Sequence, residues 1–145
     1  MTIKDFTLKF EGYWRDRNKG GLPTYAGIYS VYRCRYNLDS NTVSLIDIIY
    51  IGKADNIHDR HINHEKYSSF LSLLQEGEEL CFACAPITEN IDMVENALIF
   101  LQKPTLNDQC KNNYNYTEAH FTIEGANACF KCTSFNMRYY LEQLN

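Results

Sequence analysis

Apolar and polar residues alternate in short runs along much of this chain, and the turn residues between those runs outline a β-rich domain. Phe6, Leu8 and Phe10 alternate with polar neighbours and predict a first strand, followed by an aromatic and basic loop through Tyr13, Trp14, Arg15, Arg17 and Lys19. Residues 26–35 and 42–51 are β-branched and apolar, and the stretch 37–41 between them supplies turn residues, so the two predict an antiparallel hairpin. Asp55 and Asn56 can cap a short helix running to about Glu65, and residues 68–74 predict another turn or two of helix. A third strand is expected over 79–87, then a helix over about 90–102 that Thr88 can cap and Pro104 ends. Residues 108–116 read as loop, 119–124 and 129–133 as strand, and 136–144 as a terminal helix. The order predicts an α+β domain: a small three-stranded antiparallel sheet flanked by helices, with extra N- and C-terminal elements.

A chain of 145 residues fits one domain and can bury a sizeable core. No apolar run approaches the roughly 20 residues needed to cross a bilayer, and residues 1–9 hold no signal-peptide core, so a soluble cytoplasmic protein with no membrane partner is expected. Six cysteines in such a chain are expected as reduced thiols. Two CxxC spacings, Cys81 with Cys84 and Cys129 with Cys132, raise a zinc site, but residues three apart on a strand point to opposite faces, which argues against the first pair. The net charge of −4 argues against strong indiscriminate binding to nucleic acid. Residues 1–66 nevertheless hold ten Lys or Arg against eight Asp or Glu, whereas 67–145 hold four against ten, so any polyanion surface belongs to the N-terminal half.

Several polar residues fall where chemistry could use them. Arg60 and His64 stand at i and i+4 and would share one helical face, a guanidinium to fork onto phosphate beside an imidazole to share a proton. Glu95 lies inside the apolar stripe of Ile91, Val94, Leu98 and Leu101, where a carboxylate calls for a cation or metal partner. Tyr29 and Tyr50 could act as bases only if cations or a hydrogen-bonded partner favour the phenolate, and Lys53 is placed in sequence to supply positive charge. Gly52 reads as a backbone necessity permitting close approach at a strand end.

Two tripeptides join these observations: Gly27-Ile28-Tyr29 and Tyr50-Ile51-Gly52, one in each arm of the expected hairpin. With the residues that follow, they resemble the signature of the GIY-YIG nuclease superfamily over roughly residues 26–107. The resemblance implies a divalent-metal-dependent endonuclease hydrolysing phosphodiester bonds in DNA, with Mg²⁺ or Mn²⁺ as cofactor. It places Tyr29, Tyr50, Arg60, His64, Glu95 and Asn107 in the catalytic set, with Lys53 beside them and Glu95 as the metal ligand. Tyr29 would be the general base, Arg60 the phosphate clamp, and Asn107, within Pro104-Thr105-Leu106-Asn107, would position the metal shell or the Glu95 carboxylate. The twenty residues between the tripeptides make a longer hairpin than many members have. No targeting domain accompanies the match, so cutting both strands at a chosen site would call on a homodimer or a separate targeting partner. The alternative is a non-catalytic nucleic-acid-binding or protein-interaction module on the same scaffold.

Overall fold

In the computed structural model, which describes residues 3–108, 114 and 117–138, the alternation at Phe6, Leu8 and Phe10 belongs to a long strand, β1 (Lys4–Arg15). A 3₁₀ turn over Asp16–Gly21 follows, and then β2 (Gly27–Asn37) and β3 (Thr42–Ala54) form the expected hairpin, with Asn41 in the left-handed region at the tip. Two short helices come next, α1 (Ile57–Ile62) and α2 (Tyr67–Ser72), and then β4 (Glu79–Pro86) and α3 (Ile91–Gln102). Strands β5 (Ala119–Gly125) and β6 (Ser134–Asn136) complete the described elements, and most of the helix expected over 136–144 lies outside the described residues.

The small three-stranded sheet flanked by helices is not what forms. All six strands join one curled mixed sheet in the order β3-β2-β4-β1-β5-β6. The expected strands β2, β3 and β4 are antiparallel neighbours within it, but β4 goes on to pair antiparallel with the second half of β1, from Glu11 to Arg15. The first half of β1, Lys4 to Phe10, pairs in parallel with β5. The physical reason is on the faces of these strands: Leu8 and Phe10 of β1 and Ala119, Phe121 and Ile123 of β5 all bury into one cluster. Phe6, Phe121 and Phe135 stack across β1, β5 and β6 at centroid spacings of 5.2 Å. An N-terminal strand with such an apolar face cannot be left beside a finished sheet, so the sheet extends and curls to bury it.

The sheet buries apolar side chains on both faces. One cluster contains Ile28, Tyr32, Ile48 and Ile51 and is covered by Met93, Val94, Ala97, Leu98 and Leu101 of α3. The other contains Tyr29, Val31, Ile49, Phe82 and Cys84, closed by Ile57 of α1 and Phe70 of α2. Cys81 and Cys84 accordingly fall into opposite clusters, and the described residues include no group of three or more His, Cys, Asp or Glu that could hold a metal ion. No helix among the described residues is long and apolar enough to cross a membrane.

Candidate active site

The pairing register brings the two tripeptides together. Tyr29 lies opposite Gly52 on β3 and Cys84 on β4, and Val31 lies opposite Tyr50. Tyr32 then pairs with Ile48, so Ile49 is an extra residue on β3, and this bulge lets Ile49 and Tyr50 both serve the face that carries Tyr29. Gly52 leaves room for the Tyr29 ring: a Cβ there would come within 2.4 Å of its Cζ and Oη. Gly27 has a stricter reason, since a Cβ would stand 2.1 Å from the Ala85 carbonyl oxygen on the neighbouring strand.

Helix α1 starts where the sequence indicates, with the Asn56 side chain accepting from the Asp59 N–H at 3.0 Å. It closes at Ile62 and does not reach Glu65, because Asn63 leaves the helical region at φ −141°, ψ 59°. Arg60 is therefore on the helix and His64 in the turn beyond it, and the two do not share a helical face. That turn carries His64 inward, where its Nε2 lies 2.8 Å from the Tyr29 hydroxyl and its Nδ1 accepts from the Lys66 backbone N–H at 3.0 Å. Tyr50 meets His64 edge to face at 5.7 Å. His61, not among the residues expected at the site, is only 2 % exposed and packs edge to face on Tyr29 at 4.4 Å. Its one signal in the sequence was its place beside Arg60.

Charges around the two phenols are uneven. Burial pushes the Tyr29 hydroxyl pKa well above the ordinary tyrosine value, Tyr50 adds to that shift, and the positive charge of Arg60 opposes it. Burial, then Glu95, raise that of Tyr50, again against Arg60. Arg60, which also pairs with Glu65 at 3.2 Å, is thus the cation that acts on both phenols. Lys53 does not fill that role: its side chain is 44 % exposed and its ammonium pairs with Asp92. Its influence falls on Glu95, where burial raises the carboxyl pKa while the Lys53 charge and backbone N–H lower it, leaving the net direction upward. Burial and the charge of Arg60 lower His64 to about 4, and burial and His64 lower His61 to about 3, so both rings are neutral at pH 7.

Although α3 packs on the face opposite Tyr29, Glu95 and Ile99 share a cleft of about 220 Å³ with Tyr50, Glu65, Lys66, Asn107 and Asp108. The cleft lies at the outer edge of β3, the terminal strand of the sheet. Asn107 has a different task from the one expected. Its Oδ1 accepts from the Ile51 N–H at 2.9 Å and its Nδ2 donates to the Ile51 carbonyl at 2.8 Å, while the Leu106 N–H donates to the Ile49 carbonyl at 3.0 Å. Its amide is spent on the backbone of the second tripeptide, and what it positions is the strand carrying Tyr50. Tyr29 is 1 % exposed and stands behind Tyr50, which is the phenol lining the cleft.

With no metal-holding group of three or more His, Cys, Asp or Glu among the described residues, the donor chemistry of this cleft would suit only a divalent ion that keeps most of its waters. Glu95 offers one desolvated carboxylate on a polar wall, and Mg²⁺ characteristically keeps several waters and takes one or two carboxylates. Searches against family models, curated proteins and solved structures return no match for this chain.

Proposed function

We propose that the protein is a divalent-metal-dependent endonuclease that hydrolyses phosphodiester bonds in DNA. The observation that carries the reading is one shared environment: Arg60 acts on both Tyr29 and Tyr50, His64 touches both rings, and Glu95 opens onto the same cleft as Tyr50. Glu95 would hold the Mg²⁺ or Mn²⁺ ion, which when bound supplies charge neutralisation at the phosphate and at the leaving 3′ oxygen. Arg60 clamps the phosphate and offsets its growing negative charge. Tyr29 takes the proton of the attacking water as its phenolate; the charge of Arg60 favours that form and burial opposes it. Tyr50 orients the water from the cleft wall, and Asn107 holds the strand that carries it. Lys53 has no step in this reaction and serves by tuning Glu95.

Supercoiled plasmid and purified protein at low salt provide the test, with nicking expected in Mg²⁺ and lost on chelation. Glu95→Gln should remove nicking at least 100-fold without loss of stability, because it replaces a carboxylate whose ionisation burial already disfavours. Tyr29→Phe should remove nicking as well, and undiminished cutting by both variants would refute the reading. The burial of Tyr29 favours one second reading, a binding module of the same scaffold without turnover. Under that reading the protein would retain DNA while leaving plasmid intact in every metal.

A further inference from the structure

We infer that His64 is locked in the tautomer carrying its proton on Nε2, and that it is the donor, not the acceptor, in its hydrogen bond to Tyr29. A backbone N–H can only donate, and that of Lys66 meets Nδ1 at 3.0 Å, so Nδ1 presents a lone pair. The ring is neutral at pH 7 because burial and Arg60 hold its pKa at about 4. A neutral imidazole has one proton, which must then sit on Nε2, 2.8 Å from the Tyr29 oxygen. The other tautomer would turn two N–H groups against each other at Lys66 and leave that amide without its acceptor.

The lock is built from the chain's local path. The break at Asn63 ends α1 early, and the His64 carbonyl then accepts from the Tyr67 N–H at 3.1 Å, which fixes the turn and brings the Lys66 amide to Nδ1 of the ring. Phe70 at 4.9 Å and His61 at 5.5 Å hold the ring plane from its sides. The Tyr29 oxygen therefore receives hydrogen from His64, and the nearby Arg60 charge also favours its phenolate. Its own proton is not shared with the imidazole, and a relay from Tyr29 into His64 is closed. In the nuclease reading, on which this last part rests, the water O–H bond breaks and the Tyr29 O–H bond forms along a direction that the His64 donor does not occupy. His64 and Arg60 stabilise the phenolate without taking up its proton.

Nitrogen-15 spectra of the histidine rings in the full chain test this, recorded at pH 7 without nucleic acid so that cleavage assays judge the nuclease reading separately. His64 should show a protonated Nε2 and an unprotonated Nδ1 far downfield of it, with scalar coupling from Nδ1 to the Lys66 amide hydrogen. Lys66→Ala keeps the amide and should leave that pattern unchanged. Lys66→Pro removes it and should move the ring to a mixture of tautomers. A wild-type ring protonated at Nδ1 overturns the donor assignment, and an unaltered pattern in a folded Lys66→Pro overturns the lock. Should that variant fail to fold, the coupling in the wild-type spectrum decides the lock, its absence counting against it.

Discussion

Burying an imidazole among aromatic rings favours its neutral form, and the cost of charging it appears in the stability of the whole chain. His61 and His64 titrate in the unfolded chain near the ordinary histidine value, but are held at about 3 and about 4 in the fold. The unfolded state therefore takes up protons first as pH falls. The stability these rings contribute is complete above about pH 6.5 and is lost as pH drops toward their folded values. Each should account for a loss of about 2 kcal/mol between roughly pH 7 and pH 5. Urea unfolding of His61→Phe, which keeps a ring against Tyr29, should show the pH dependence reduced by about that amount, and an unchanged dependence would place the titration elsewhere. The sequence made Tyr29, Tyr50, Arg60 and His64 legible because each lies close to a tripeptide in the chain. The tasks of Lys53 and Asn107 were not legible, since they depend on Asp92 and Ile51, partners 39 and 56 positions away.

At the level of elements, the two motif glycines differ in what an added methyl would strike. At Gly52 it would meet the outer end of the Tyr29 ring, and at Gly27 a backbone carbonyl of β4. A side chain can turn aside while a paired strand cannot, so Gly52→Ala should cost about 1–3 kcal/mol and Gly27→Ala more. Thermal unfolding of both variants measures the order, and Gly52→Ala should in addition break the Tyr29–His64 hydrogen bond, a change that histidine nitrogen-15 spectra would report. Asn107→Ala leaves the outward N–H and carbonyl of Ile51 without their partners and should destabilise by about 2–4 kcal/mol, whether or not metal is added. The hairpin of β2 and β3 could be read from its apolar runs and the turn between them because both arms are neighbours in sequence. The β1–β5 pairing could not, because alternation reports which face of a strand is buried and says nothing of which distant strand lies beside it. Period alone also hid the early end of α1, which one backbone departure at Asn63 decides.

For the molecule as a whole, a net charge of −4 means that attraction to nucleic acid must come from local cations. Near the cleft these are Arg60, Lys53 and Lys66, each already paired with an acid: Glu65, Asp92 and Asp108. Phosphates must displace those carboxylates to bind, so the number neutralised is small. The logarithm of the DNA association constant should fall against that of salt with a slope no steeper than about −3, and a slope near −8 would reveal a polyanion surface elsewhere. The rate of nicking carries a second constraint. The base form of Tyr29 is scarce in the free protein because burial raises its pKa above the ordinary tyrosine value, which is near 10. If that phenolate takes the proton from water, nicking at saturating Mg²⁺ should rise about tenfold per pH unit above neutrality, with no plateau below about pH 9. Tyr29→Phe should abolish the rise. A plateau near neutral pH would mean that bound metal and substrate bring the phenol into range, or that another group takes the proton. The residual rate of Tyr29→Phe separates these outcomes, since only the second leaves the plateau standing without the hydroxyl.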